Sequence, residues 1–306
     1  MPFSEDVRNE LAAIAPVRRC DRLAELSALF HTAGSLHLRG HGEVALHLDL
    51  GSSAVARRGF ALLRDLSVEA EIRTYTQHAF ARPTRYQLHI AGTPTALAVL
   101  QEAGVLTSSG APLARPPKRV AGRACCRGAY MRGALLGGGS VSGPRARQLE
   151  LRTAGRDGGE FLAWVAGQEG IELHLRERGR FCTAYLKGTD AIAETLALAG
   201  ASDTALALEE HAVVAAARAQ ANRLANADHA NLERSSRAAH AQLQAVRRLE
   251  REGRLGALSP RLREIAELRL RHPSLSLREL AAKCRPATTK AAAHRRLRKL
   301  THLAER

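Results

Sequence analysis

The stretch LSALFHTAGSL at residues 26–36 has a counterpart in MRGALLGGGSV at residues 131–141. Each stretch has the apolar pattern of a helix, ends at glycine and continues into residues that alternate like a strand. Two copies of one helix-to-strand junction in a single chain indicate an internal repeat. We therefore predict that the first two-thirds of the chain consist of two related structural units.

The residues after the first stretch alternate between apolar and polar side chains, as in strands with one face in water. Ser52 or Ser53, and later Thr93 with Pro94 behind it, are predicted to begin two further helices. A short amphipathic helix at residues 5–14 precedes the unit. The predicted order of helix, two strands, helix, two strands and helix covers residues 22–33, 36–39, 44–50, 52–66, 68–75, 85–90 and the residues from 93 onward.

The same order returns after the second stretch, with strands predicted at residues 149–151 and 171–175, among others. Residues 107–123 are rich in serine, glycine, proline and basic side chains, and are predicted to link the two units. The sequence thus predicts an α+β fold with two pseudo-symmetric αββαββα lobes, at residues 1–110 and 120–203.

After the second lobe the alternation stops, and alanine and arginine dominate. A long helix is predicted from residue 209 toward 251, within a linking segment at residues 204–256, because its polar side chains suit no core. Residues 257–306 are predicted to form a separate all-α domain. In it, residues 276–279 read as a capping box, and a third helix starts near Thr288.

This third helix has one apolar and one basic face. Ala293, Leu297 and Leu300 share the apolar face, and acidic residues are nearly absent from residues 288–304. Small and basic side chains on an exposed face suit a helix that enters the major groove, so we predict a helix-turn-helix domain. A basic face that merely keeps a surface helix in water is the alternative. The predicted DNA-binding residues are Arg278, Thr288, Thr289, Lys290, Ala291, His294, Arg295, Arg298 and Lys299.

The whole chain of 306 residues has 46 lysine and arginine residues against 30 acidic ones, a formal charge of +16. This excess favours double-stranded DNA as a partner, although arginine-rich codon usage would also produce it. The five cysteines form an odd set without a C-x-x-C, which indicates reduced thiols in a cytoplasm. No stretch approaches the roughly 20 apolar residues of a membrane helix, so no membrane partner is expected.

Other patterns of chemistry are weaker. His37, His41 and His47 suggest a metal site, but they lie on and between strands without clustered acids or thiols, so neither a metal nor another cofactor is expected. Cys125 and Cys126 have no evident charged setting, which favours ordinary thiols over a catalytic pair.

The two stretches quoted first resemble the LAGLIDADG motif of homing endonucleases. The resemblance implies two motif helices that pack through small residues, here Ala28, Gly133 and Gly137, and strands that form a saddle over DNA. It also places the family's metal-binding acids at Ala33 and Gly138. Neither residue can hold a metal, so no catalytic residue is predicted and the lobes are expected not to cleave DNA. Such lobes are expected to form a scaffold that still touches DNA through strand residues such as His37, Arg39, His47 and Arg73.

Two degenerate lobes, a polar helix and a helix-turn-helix together resemble the WhiA family over nearly the whole chain. The resemblance extends to Asn222-Arg223, Ala230-Asn231-Leu232 and the segment Leu277-Arg278-Glu279-Leu280. It implies a sequence-specific transcriptional regulator of cell division and sporulation, located in the cytoplasm at the nucleoid. The implied partners are promoter DNA, a WhiB-type iron–sulfur regulator and RNA polymerase. Two alternatives stay open: an active LAGLIDADG nuclease or RNA maturase, and lobes that serve only as a protein-docking platform.

Overall fold

The computed structural model describes residues 2–38, 44–76, 84–142 and 148–306. Packing divides the chain into two compact units, Met1–Ala215 and Ala216–Arg306. The fold is the predicted one, with two α+β lobes in the first unit and a helix-turn-helix domain in the second. No helix in the described ranges has the length and apolarity needed to cross a membrane. The domain boundaries given above remain predictions.

The first lobe has the predicted elements in the predicted order. The Ser52 and Thr93 side chains accept hydrogen bonds from the N–H groups of Ala54 and Ala96, at 3.3 and 3.2 Å, so both helix caps are confirmed. The elements are α1 (Pro2–Ala13), α2 (Arg19–Ala33), β1 (Gly34–Leu38), β2 (Val44–Leu50), α3 (Ser53–Asp65), β3 (Glu71–Thr76), β4 (Thr84–Ala91) and α4 (Pro94–Glu102).

The second lobe repeats this order. Its elements are α5 (Ala124–Gly138), β5 (Gly139–Val141), β6 (Gln148–Thr153), α6 (Arg156–Gly167), β7 (His174–Arg178), β8 (Phe181–Lys187) and α7 (Thr189–Ala199). The segment predicted to link the lobes contains a 3₁₀ turn at Lys118–Ala121. Val120 and Ala121 in this turn are buried in the core that both lobes share, so the linker packs against the lobes.

Two strands begin three residues later than predicted, at Glu71 rather than Val68 and at His174 rather than Ile171. The N–H groups of Val68 and Ile171 donate hydrogen bonds to carbonyl oxygens of the preceding helix, at 2.9 and 3.0 Å. Both residues are buried. They therefore close the end of a helix and fill the core instead of pairing with a neighbouring strand.

Each lobe contains a four-stranded antiparallel sheet, in the order β1-β2-β4-β3 in the first lobe and β5-β6-β8-β7 in the second. In the first sheet, Leu46 pairs with Ile90 and Leu48 pairs with Leu88, and all four side chains are buried. Side chains at intervening positions point the opposite way. Each sheet therefore has a core face and an outer face.

The motif helices α2 and α5 pack closely through small residues, as predicted. A Cβ atom added at Gly133 would lie 2.9 Å from the Cβ of Ala28, and one added at Gly137 would lie 3.4 Å from the Cβ of Ala33. Larger side chains at these glycines would push the helices apart. The predicted packing role of Ala28, Gly133 and Gly137 is therefore confirmed.

A buried ionic group also joins the two lobes. The Glu25 carboxylate on α2 accepts hydrogen bonds from Arg58 Nε on α3 at 2.8 Å and from Arg132 Nε on α5 at 2.9 Å. Arg132 Nη1 also donates to the carbonyl oxygen of Ala199 at 3.0 Å. All three charged side chains are buried, so each depends on the others to offset its loss of hydration.

A single helix of 50 residues, α8 (Ser202–Arg251), follows the second lobe and begins earlier than the predicted residue 209. The Glu10 carboxylate on α1 accepts hydrogen bonds from the N–H groups of Asp203 and Thr204, at 2.8 and 2.9 Å. A carboxylate at this end satisfies free N–H groups and suits the helix dipole. The cap comes from the far end of the chain, so no local sequence pattern reveals it.

The second unit ends in a bundle of short helices. Its elements after α8 are a 3₁₀ turn (Arg254–Ala257), α9 (Pro260–Arg271), α10 (Leu277–Lys283) and α11 (Lys290–Glu305). Ile265, Leu280 and Leu297 form its core together with Val246 and Leu249 of α8. The end of α8 therefore contributes to the hydrophobic core of the helix-turn-helix domain.

Candidate nucleic-acid interface

Helix α11 carries most of the predicted DNA-binding residues. Thr289 is its N-cap, since its hydroxyl accepts a hydrogen bond from Ala292 N at 3.2 Å, and Thr288 lies just before it, half-buried. The buried side of the helix consists of Ala293, Leu297, Leu300 and Ala304. The opposite side is exposed and carries Lys290, Ala291, His294, Arg295, Arg298, Lys299 and His302.

The basic side chains on this exposed side are not neutralised by nearby acids. Within the part of the chain that the structure describes, Lys290, Arg295, Arg298 and Lys299 make no ion pair. The one acid in the helix is Glu305, in its last turn, and it lies 3.7 Å from His302. An exposed positive face without internal partners keeps its charge available for an anionic ligand.

The turn before α11 is held by a backbone hydrogen bond to α10. Thr288 N donates to the carbonyl oxygen of Ala281 on α10 at 2.9 Å. Ser276 and Glu279 form the predicted capping box at the start of α10, which is thereby confirmed. The Ser276 hydrogen bonds also lower the pKa of the Glu279 carboxyl below its usual value. Arg278, in the first turn of α10, is exposed and is the only predicted site residue on that helix.

Arg269 on α9 is a buried charge that fixes the position of its neighbours. Its guanidinium donates to the carbonyl oxygens of Pro273 and Leu275, at 3.3 and 2.7 Å, and to Oε1 of Gln242 on α8, at 2.9 Å. Only 1% of the residue is exposed, and burial lowers its pKa. Arg269 therefore connects α8, α9 and the loop before α10.

The C-terminal ends of the motif helices hold Ala33 and Gly138, the positions where the resemblance places metal-binding acids. Each is the last residue of its helix, and neither has a side chain that coordinates a metal. Arg8 on α1 donates a hydrogen bond from Nη2 to the carbonyl oxygen of Gly139 at 2.9 Å. Burial lowers the pKa of this guanidinium. The Arg8 guanidinium therefore lies beside the C-terminal end of α5, at the place where a metal-binding site would need a carboxylate.

The outer face of the first sheet carries His37, His47 and Arg73, three of the four predicted strand residues. The imidazole rings of His37 and His47 lie 4.7 Å apart, and those of His47 and His89 lie 4.6 Å apart. Arg73 makes an ion pair with Glu71 at 2.8 Å. Arg39, together with His41 of the suggested metal site, lies outside the described residues.

The outer face of the second sheet combines arginine with aromatic rings, a pattern that sequence reasoning missed. The Arg152 guanidinium lies 4.9 Å from the centre of the Phe181 ring, and the Arg176 guanidinium lies 5.4 Å from that of Tyr185. Alternation in β8 places both rings on one side, which is the signal that could have found them. Arg176 also pairs with Glu150 at 2.9 Å.

The expectation that Cys125 and Cys126 have no charged setting is wrong, whereas their assignment as ordinary thiols rather than a catalytic pair stays a prediction. Their Sγ atoms lie close to Cys20 and Asp21, which come from the start of the other motif helix. The guanidinium of Arg18, the N-cap residue of α2, lies near the Cys125 thiol. The two pairs of residues lie more than a hundred positions apart in the sequence, so an analysis of local patterns does not bring them together.

Comparison with known proteins identifies the family. Models of three WhiA domains match the chain: the N-terminal LAGLIDADG-like domain at residues 19–106, the LAGLIDADG-like domain at residues 127–218 and the C-terminal HTH domain at residues 221–304. A "Probable cell division protein WhiA" of Heliobacterium modesticaldum is 36% identical over 307 residues, which cover 100% of this chain and 96% of that protein. The chain belongs to the WhiA family. A WhiA relative of the same name from Symbiobacterium thermophilum is 36% identical over 309 residues, covering 100% of this chain and 98% of the relative.

Solved structures agree with the WhiA fold. Full-length DUF199/WhiA from Thermatoga maritima has a TM-score of 0.60 and 22% identity, and the match covers 99% of this chain and 98% of that one. The N-terminal LAGLIDADG domain of DUF199/WhiA has a TM-score of 0.52 and 17% identity, and covers 65% of this chain and 90% of that one. Two LAGLIDADG-like lobes and a helix-turn-helix domain are thus the architecture of this WhiA-family protein.

Proposed function

We propose that this WhiA-family protein is a sequence-specific, DNA-binding transcriptional regulator of cell division and sporulation, acting on the nucleoid. The observation that carries the proposal is the exposed face of α11, where Lys290, Arg295, Arg298 and Lys299 have no acidic partner among the described residues. Small Ala291 on the same face leaves room for the helix to approach base edges in a major groove. The free N–H groups at the start of α11 would favour a phosphate oxygen.

Arginine is the residue type that makes this proposal specific. A guanidinium donates two parallel hydrogen bonds to the O6 and N7 atoms of guanine, which is the commonest sequence-specific contact in the major groove. We assign Arg295 and Arg298 to base reading because each lies one or two turns into the helix. Arg278, Thr288, Thr289, Lys290, His294 and Lys299 are assigned to phosphate contacts or to the edges of the site.

The lobes are proposed not to cleave DNA. Hydrolysis by two metal ions needs carboxylates that hold both ions, and Ala33 and Gly138 offer none. The guanidinium of Arg8 beside Gly139 would moreover repel a divalent cation at that end of α5. The lobes would retain a binding surface. The paired arginine and aromatic side chains on the outer face of the second sheet favour contact with DNA or with a protein partner.

The test of this proposal is promoter binding by the double variant Arg295→Ala with Arg298→Ala in the full chain. Each bidentate contact is worth about 1–3 kcal/mol of discrimination, so affinity for the specific site should fall at least tenfold, and commonly far more. The control is Arg57→Ala with Arg64→Ala, which removes two exposed arginines from α3 and the same total charge. Genome-wide occupancy of the wild type supplies the promoter sequences.

A second double variant separates base reading from simple charge attraction. Arg295→Lys with Arg298→Lys keeps both positive charges but loses the guanidinium fork. Specific binding should weaken while non-specific binding and its dependence on salt stay close to wild type. Unchanged footprints in both the alanine and the lysine variants would refute the assignment of α11 as the reading helix.

Protein partners form the last part of the proposal. We extend the proposal to RNA polymerase and to a WhiB-type iron–sulfur regulator as protein partners. The outer faces of the two sheets are the surface to which we assign these contacts. Co-purification with the full chain, compared between wild type and variants of Arg152 and Arg176, tests the assignment.

A further inference from the structure

Four potential metal ligands meet at the N-terminal ends of the two motif helices. Cys20 and Asp21 are the second and third residues of α2, and Cys125 and Cys126 are the second and third residues of α5. When the two stretches are aligned on their motifs, Cys20 corresponds to Cys125 and Asp21 corresponds to Cys126. The repeat therefore brings equivalent positions of both lobes to one point.

Two distances within this cluster match those around a single tetrahedral ion, and the others are short enough for a small adjustment to bring the ligand atoms around one. The four ligand atoms all lie within 4.8 Å of one another. The Sγ atoms of Cys125 and Cys126 are 3.9 Å apart, and Cys20 Sγ lies 3.5 Å from Asp21 Oδ1. A tetrahedral zinc ion with its usual bond lengths of about 2.3 Å to sulfur and about 2.1 Å to oxygen separates two sulfurs by about 3.8 Å, and sulfur from oxygen by about 3.6 Å.

We propose that Cys20, Asp21, Cys125 and Cys126 bind one zinc-class ion, which fastens the two lobes to each other. Three thiolates and a carboxylate suit zinc, a borderline-soft ion, far better than magnesium or calcium, which take oxygen ligands. Four protein ligands close the coordination sphere, so the ion is structural rather than catalytic. This site lies at the opposite ends of α2 and α5 from Ala33 and Gly138.

The surroundings of the cluster fit an anionic ligand set. Each pair of ligands lies in the first turn of a helix, where the helix dipole stabilises thiolates. Three thiolates and a carboxylate leave excess negative charge around a divalent ion, and the nearby Arg18 guanidinium offsets part of it. Cys20, Asp21 and Cys125 are half-buried, which leaves a path for the ion, whereas Cys126 is buried.

A cysteine binds a metal ion as its thiolate, so an ion that binds at this cluster must displace the thiol protons. Zinc affinity should therefore increase with pH, and zinc binding should release protons into a weakly buffered solution.

The first experiment measures metal content in the full-length protein, expressed with zinc and purified under reducing conditions without a chelator. We expect about one zinc per chain by elemental mass spectrometry. Replacement by Co²⁺ should give the intense thiolate-to-metal absorption and the visible bands of tetrahedral cobalt. The double variant Cys20→Ser with Cys125→Ser should lose both the zinc and the cobalt spectrum.

A control variant and a milder variant of the site complete the test. Cys284→Ser removes a buried thiol of the other unit and should leave the metal content unchanged. Asp21→Asn keeps the volume of a half-buried side chain, so it should fold as the wild type does and weaken zinc binding roughly tenfold or more. Circular dichroism checks the folding of each variant.

Three results would overturn the proposal. The first is a wild-type protein that takes up neither zinc nor cobalt at micromolar concentrations. The second is a cobalt–thiolate spectrum that persists in the double variant. The third is a disulfide between Cys20 and Cys126 in protein isolated without oxidation, because neither sulfur would then be available as a thiolate ligand.

Discussion

At the scale of single residues, the buried charge of Arg269 helps to hold the helix-turn-helix domain together. We predict that Arg269→Ala destabilises the second unit by about 3 kcal/mol, because it leaves two carbonyl oxygens and the Gln242 side chain without their charged donor. Urea unfolding followed by circular dichroism measures the change.

The matched control for this prediction is Arg271→Ala on the same helix. Arg271 is exposed and forms an ion pair with Glu267 within one turn, so its removal should change the free energy of unfolding by less than about 0.5 kcal/mol. If the two substitutions lowered the free energy of unfolding equally, the buried hydrogen bonds of Arg269 would stabilise the domain no more than the surface ion pair of Arg271.

Sequence alone gave a partial account of these residues. The exposed and buried sides of α11 followed correctly from the helical spacing, because its hydrophobic positions repeat without a break. Arg269 was missed although it continues the buried line of Leu262, Ile265 and Ala266, since an arginine at such a position is ordinarily taken to face water. The partners that make its burial tolerable come from a loop and from another helix.

At the scale of elements, the close contact between α2 and α5 is made possible by glycine. We predict that Gly133→Ala destabilises this unit by about 1–3 kcal/mol, because the new Cβ would lie 2.9 Å from the Cβ of Ala28 and closer still to the Glu25 backbone. Thermal unfolding of the full chain measures the effect.

Gly167→Ala serves as the control for the glycine contact. Gly167 ends α6, is exposed, and a Cβ atom there would meet nothing within 4 Å. Alanine should therefore be neutral or slightly stabilising at this position. A loss of stability as large as that of Gly133→Ala would mean that crowding between the motif helices is not the cause.

The order of helices and strands was predictable because each element has its own period of apolar residues. The starts of β3 and β7 were not, because Val68 and Ile171 alternate like strand residues but bond back to the helix before them. Whether such an apolar residue pairs in a strand or closes the end of a helix depends on the core against which its side chain packs. The same limit applies to the start of α8, which is capped by Glu10 from the other end of the chain.

At the scale of the whole molecule, the main question is whether a nuclease-like architecture still cuts DNA. We predict that the purified protein binds supercoiled plasmid but leaves it intact in the presence of Mg²⁺ or Mn²⁺. The physical reason is that Ala33 and Gly138 supply no carboxylate, and Arg8 places a cation beside Gly139. Gel electrophoresis of the plasmid provides the measurement.

A nicking activity that follows the protein through two independent chromatographic steps would contradict this prediction. It would revive the alternative of an active nuclease or maturase with acids outside the motif positions. Among the described residues, the one group of at least three potential metal ligands is the cysteine cluster at the other end of the motif helices. The prediction that DNA is not cleaved can be made from the sequence alone, because it depends on which residue types stand at two positions, Ala33 and Gly138.

The buried trio of Glu25, Arg58 and Arg132 makes the two halves of the chain unequal in charge. Aligned on their motifs, the two halves place Tyr130 opposite Glu25 in register, and Ser27 opposite Arg132. Two copies of the first half would keep each Glu25 with its own Arg58, whereas two copies of the second half would bury a pair of Arg132 guanidiniums without Glu25. A buried charge without its partner is strongly destabilising. The second half therefore depends on the first for its neutralising carboxylate, and a symmetric pair of second halves would be unstable.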